Sequence, residues 1–270
     1  MASEAVREEA YLRGLARAAA GALIFGFPLL MTMEMWQLGF HMDRARLAAF
    51  LVVIALTVVG LARFAGFRND TTLLDDALDA AAALLMGAVV SAAMLGLFGL
   101  IGHGQGAREV VGMVAVQAAP ASIGAILANK QLHGEGRGRS KEDRAGYLGQ
   151  LFLMTAGALF FAFNVAPTEE MILIGFKMTP WHALALVAVS LAALHALVFS
   201  VGFAGQETHE GHVPAFFHYT LAGYGLALMV SAFTLWTFGR LDAGLSDAVR
   251  SVVVLAFPSA LGAAIARLVV

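Results

Sequence analysis

Along this chain the apolar residues run in long, nearly charge-free stretches separated by short polar ones. Eight can be drawn: Ala16 to Leu38, Arg46 to Gly66, Ala77 to Ile101, Val110 to Ala128, Tyr147 to Val165 with a continuation to Ile174, His182 to Ala204, Ala215 to Phe238, and Val249 to Val270. Each is close to the ~20 residues that a helix needs to cross roughly 30 Å of hydrocarbon. Lipid offers no partner to a backbone N–H or C=O, so each stretch is expected to be helical. The pattern leaves no room for a soluble domain, and the expected fold class is an all-α polytopic membrane protein of about eight transmembrane helices.

The first stretch comes back. Gly21 to Met42, GALIFGFPLLMTMEMWQLGFHM, returns 136 residues later as Gly157 to Met178, GALFFAFNVAPTEEMILIGFKM, with 11 of 22 positions identical. Glu34 falls on Glu170, Thr32 on Thr168, Phe27 on Phe163 and Gly39 on Gly175. A second block, Val111 to Ala128, returns as Val249 to Ala266, with Pro120, Gly124 and Ala128 falling on Pro258, Gly262 and Ala266. The chain therefore reads as a tandem duplication of a four-helix unit: an amphipathic cytoplasmic lead-in at 1–15, a membrane repeat at 16–128, a polar linker at 129–146 and a second repeat at 147–270. Four crossings per repeat is an even number, so both copies would enter the membrane in the same direction, as parallel repeats about an axis along the membrane normal.

Composition agrees with the pattern, since 60% of the residues are hydrophobic and 13% charged. An ordinary globular domain is nearer half apolar and a quarter charged. A net charge of -2 gives no basis for a nucleic-acid partner. Cysteine is absent, which excludes disulfides, thiolate metal sites and cysteine nucleophiles. The amino-terminal MASEAVREEAYLRGLAR lacks the basic lead, short apolar core and cleavage site of a signal peptide. If all eight stretches cross, eleven Lys and Arg residues fall on the side of both termini and the linker, and six on the other. The positive-inside tendency then places both termini in the cytoplasm.

The candidate chemistry centres on the duplicated carboxylate. An ionisable group inside an apolar helix is costly, and it is a functional hypothesis by default. In an unbroken helix Phe27, Met31, Glu34 and Leu38 share a face, as do Phe163, Pro167, Glu170 and Ile174. A carboxylate on such a stripe suits a proton-coupled or cation-binding group. Thr32, Thr168, Asn164 and Glu169 add polar atoms to the same stretch. Pro28 and Pro167 are expected to break or kink it, freeing carbonyls that can line a cavity. The second copy, with Asn164, Pro167, Thr168, Glu169 and Glu170 together, is expected to be the more strongly broken.

Other polar positions carry less. Pro120 and Pro258 head Pro-x3-Gly-x3-Ala ridges of small residues, the usual device for close helix contact in lipid. Gly87 with Ser91, and Gly223 with Ala227, are read as a second matched ridge. Gln117, His195 and His218 are single polar groups in apolar stretches, and a histidine pair there is a haem-ligand candidate. His209, Glu210 and His212 bring nitrogen and oxygen ligands together and are weak metal candidates. Asp75, Asp76 and Asp79 complement a helix amino terminus and need no further role. No phosphate-binding glycine loop, HExxH or Gly-x-Ser-x-Gly is present, so the chain is read as a non-enzyme without a cofactor.

The block FGFPLLMTMEMWQLGF beside a near-copy of its four-helix unit resembles an uncharacterised family of bacterial integral membrane proteins of about this length. The resemblance implies a multi-pass protein of the bacterial inner membrane and supplies no residue role. The residues themselves point to transport of a small cation or proton-coupled solute through Glu34 and Glu170. One alternative is a homo-oligomeric cation channel with an acidic ring. A second is a membrane sensor, assembly partner or haem-binding module.

Overall fold

A computed structural model describes residues 2–65, 72–102, 104–131, 146–200, 216–242 and 244–269. Among these residues the chain is all helix: α1 (Ala2–Leu30), α2 (Met33–His41), α3 (Arg44–Ala65), α4 (Leu73–Leu97), α5 (Ala107–Gln131), α6 (Tyr147–Val165), α7 (Glu169–Lys177), α8 (Pro180–Ser200), α9 (Ala222–Thr237) and α10 (Leu245–Val269). A π-helical stretch, Phe216–Leu221, leads into α9. Among the described residues eight helical segments are long and apolar enough to cross a membrane, from Leu12–Leu30 to Leu245–Ala266. The short helices α2 and α7, of 9 residues each, are not among them. Glu34 and Glu170 therefore do not lie within spanning helices. The apolar stretch Ala16 to Leu38 and the continuation of Tyr147–Val165 to Ile174 are each interrupted, and the face shared by Phe27, Met31, Glu34 and Leu38 does not exist as a continuous stripe.

The chain divides into two compact units, Met1–Gly136 and Arg137–Val270. In the first, α5 is the central helix, packed by α1, α2, α3 and α4. Its spanning window is 72% buried, against 28% for α4. Close approach depends on glycine. A Cβ on Gly124 would lie 2.6 Å from the carbonyl oxygen of Gly21, and one on Gly87 would lie 2.8 Å from the carbonyl oxygen of Ala118. The sequence ridge of Gly124 and Ala128 is thus the surface on which Gly21 of the other duplicated block packs. At the end where α1 stops, Leu30, Leu95 and Met113 form a buried cluster covered by Trp36 and Phe40 of α2.

In the second unit α10 is packed by α6, α7, α8 and α9. Gly157 meets the backbone of Gly262 and the Cβ of Ala266, and Gly175 of α7 sits against Ser251, whose Oγ would be 2.9 Å from a Cβ at that glycine. The Ser231 and Ser259 hydroxyls are 3.1 Å apart between α9 and α10. Phe163 packs on Phe238 at 6.3 Å between centroids, as Phe27 packs on Phe98 at 6.5 Å in the first unit. Phe98 and Phe238 each close a spanning helix before a glycine with φ near +70°, Gly99 and Gly239.

Those turns correct one pairing read from the sequence. With Gly99 on Gly239, Ser91 falls on Ser231 and Gly87 on Ala227. The contacts agree, since Gly87 faces the α5 backbone whereas Gly223 faces Met154 and Leu194. Gly87/Ser91 and Gly223/Ala227 are therefore not equivalent ridges.

Candidate functional site

Each unit interrupts its first spanning helix in the same way. The α1 backbone ends at Leu30, and the Leu29 carbonyl accepts from the Thr32 N–H at 3.1 Å and from the Thr32 hydroxyl at 2.8 Å. In the second unit the Val165 carbonyl accepts from the Thr168 N–H at 3.1 Å and from its hydroxyl at 2.8 Å. Both threonines then turn extended, at φ -98° and ψ 125° for Thr32 and φ -70° and ψ 143° for Thr168, and begin the next helix. A residue that satisfies the carbonyl three positions back with both donors closes one helix and frees the chain to start another.

Proline is not what the two interruptions share. Pro28 lies inside α1, which runs on to Leu30, while Pro167 lies in the turn itself. Asn164 stands where the first unit has Pro28, and its amide donates back to the Phe160 carbonyl at 2.8 Å. Both first helices are interrupted, so the second copy is not the more strongly broken of the two.

The short helices carry acids at the start and bases at the end: Glu34 and His41 in α2, Glu169, Glu170 and Lys177 in α7. This matches the helix dipole, worth ~0.3–1 kcal/mol per charge. Glu34 is half-buried, Glu169 and Glu170 are exposed, and none of the three makes a hydrogen bond or ion pair among the described residues. Glu34 and Glu170 each stand two residues beyond the threonine of their interruption, so the carboxylate, the threonine hydroxyl and the helix-end carbonyls of each unit are neighbours along the chain, and oxygens of this kind bind hard cations.

The surroundings of the two turns differ. In the first unit the fully buried Gln117 donates from Nε2 to the Leu29 carbonyl at 3.2 Å, a third donor on that oxygen. In the second unit arginines hold both ends of α7. Arg240 donates to the Pro167 carbonyl at 2.9 Å, and Arg250, paired with Asp247 at 2.5 Å, donates to the Met178 carbonyl at 2.7 Å.

Sequence reasoning missed the burial of Asp76 and Asp79, which are 1% and 4% exposed in the first two turns of α4. Asp75, Asp76 and Asp79 were expected only to complement the helix dipole, and of the three Asp75 forms a capping box with Thr72. Asp76 instead takes Nη1 of Arg63 at 3.1 Å. The signal was the i,i+3 spacing, which puts both acids on one helical face.

His195 bonds the Thr220 hydroxyl at 2.9 Å and lies edge-on to Phe216, while His218 is exposed and lies edge-on to Tyr147. His209, Glu210 and His212 lie outside the described residues, and among those described no three metal-binding side chains cluster.

The DUF2391 family of integral membrane proteins matches residues 14–270. The chain belongs to this family. No curated protein and no solved structure matches it. For this DUF2391 member the match extends over both units, and the integral membrane character read from hydropathy is the family's own description.

Proposed function

We propose that this protein transports a small cation or a proton-coupled solute across a bacterial inner membrane, with both termini in the cytoplasm, and that it is not an enzyme. The reading rests on one observation: each unit's first spanning helix stops at a threonine and resumes as a short helix whose first turn carries an unpartnered carboxylate, Glu34 or Glu170. Transporters commonly place ion sites at interrupted helices, where carbonyl ends meet side-chain oxygens. The matching of the two units supports an internal tandem repeat, and the half-exposed acids leave room for a ligand that neutralises them. Glu169, Thr32, Thr168 and Asn164 complete the polar set, with the second unit the richer in oxygens.

The test is flux of protons and alkali cations in proteoliposomes holding the wild type, Glu34→Gln, Glu170→Gln and the double variant. Each single variant is expected to lower flux at least tenfold and the double to abolish it. Robust flux in the double variant would sink the assignment. Saturable turnover supports a transporter, whereas unitary conductance would replace it by a channel.

A further inference from the structure

In the second unit α7 and α8 leave a groove of about 520 Å³ between them, lined by Ile174, Lys177, Met178, His182, Leu186 and Val189. That volume is within the roughly 300–1,000 Å³ usual for small-ligand clefts. Its chemistry is sorted by depth. His182, Leu186 and Val189 follow one another at the i, i+4, i+7 spacing of a single helical face, so the apolar lining runs about 10 Å down α8 from the basic end. Lys177 closes α7 at that same end and is exposed, with no partner among the described residues.

His182 is set as a donor. The Thr179 N–H reaches its Nδ1 at 3.4 Å and the Thr179 hydroxyl lies 2.9 Å from the same atom. An accepting Nδ1 puts the ring proton on Nε2. Trp181, beside it, is 80% exposed, as expected of a tryptophan at the level of lipid headgroups. The spanning window that contains it, Pro180–Val198, is only 17% buried, the lowest of the eight, as expected of a helix with most of its surface toward acyl chains.

We infer that the α7/α8 groove binds a membrane phospholipid with a net negative headgroup, its phosphate held by Lys177 and His182 Nε2 and one acyl chain lying along Leu186 and Val189. The charge arrangement selects this occupant: two donors at the interfacial end, one of them a full positive charge, and only apolar side chains below. The duplicated sequence keeps it, since Lys177 and His182 fall on His41 and Arg46, and Met178 and Val189 on Met42 and Val53. In the first unit Leu186 is replaced by Phe50, which is fully buried.

The experiment is native mass spectrometry of the full chain in mild detergent, titrated with phosphatidylglycerol, phosphatidylcholine or inorganic phosphate. Wild type is expected to retain phosphatidylglycerol over phosphatidylcholine by roughly five- to tenfold, the scale of one or two basic groups beside an anionic lipid. Lys177→Gln with His182→Gln should erase that preference without loss of the folded mass signal. Val189→Phe, which fills the apolar end, should weaken both lipids. Equal retention of the two lipids by wild type overturns the proposal, as does displacement of lipid by phosphate alone. Because the chain has no cysteine, Ala185→Cys gives a further check: an oxidised dimer in membranes would mean that a second copy covers the groove instead.

Discussion

Gly21 and Gly124 cross backbone against backbone, so closely that a Cβ on Gly124 would lie 2.6 Å from the Gly21 carbonyl oxygen. Gly157 and Gly262 repeat the contact in the second unit. At Gly21 and Gly157 an added Cβ would meet only backbone and an alanine Cβ, which cannot swing aside, so a substitution at either must push the helices apart. Gly21→Ala and Gly157→Ala are each expected to cost roughly 1–3 kcal/mol, the scale of overpacking. Gly225, inside α9 with nothing within 4 Å of its Cβ position, is the control. Gly225→Ala should be neutral or stabilising by up to ~1 kcal/mol, because alanine is the better helix former. Thermal midpoints in detergent separate the outcomes, and equal shifts at all three sites would contradict the crossing.

Arg63 and Asp76 tie α3 to α4 with one partner buried and the other largely in solvent, at side-chain exposures of 2% and 58% for Asp76 and Arg63. Removing the arginine leaves a buried carboxylate without its charge partner, which in a closed site costs ~3–5 kcal/mol. Solvent screening of Arg63 reduces the expected loss for Arg63→Gln to about 1–2 kcal/mol. Adding Asp76→Asn should return part of it, since the uncompensated charge is then gone. A double variant less stable than Arg63→Gln alone would show that the pair does not hold these helices together.

The threonine hydroxyls at the two interruptions make the same bond at the same length, 2.8 Å. Thr32→Val and Thr168→Val keep the shape and delete it. Each should destabilise its unit by ~1 kcal/mol, the net worth of one hydrogen bond. The Leu29 carbonyl keeps Gln117 as a donor, so Thr32→Val should be the milder of the two. Denaturation of the paired variants checks the order.

Asp43 caps α3 by accepting the N–H of Ala45 at 2.9 Å and that of Arg46 at 3.3 Å. The backbone N–H groups of Arg46 and then Ala45 hold its carboxyl below the ordinary value of 3.8. A lowered value in the folded state means the cap contributes fully above 3.8 and is lost as pH falls from there through the lowered value. Hydrogen exchange at the Ala45 and Arg46 amides should therefore speed up below about pH 4. In the second unit Thr179 takes the same capping place, its hydroxyl 3.4 Å from the His182 N–H, and this end should not respond in that range.

The sequence by itself determined the number of spanning helices and the place of each along the chain, because hydropathy over ~20 residues is a property of composition and needs no neighbours. It also determined which residues recur, including Thr32 with Thr168 and Glu34 with Glu170. Only the tertiary structure decided that the acids follow an interruption rather than sit in mid-span. A break of two residues, as at Met31 and Thr32, barely changes the hydropathy of the window around it. It likewise decided that Asp76 and Asp79 are buried and that Gly87 is equivalent to Ala227 instead of Gly223. Burial and register are set by residues distant along the chain, such as Arg63 across the α3–α4 connection and Ala118 on α5, and no local pattern around a residue contains them.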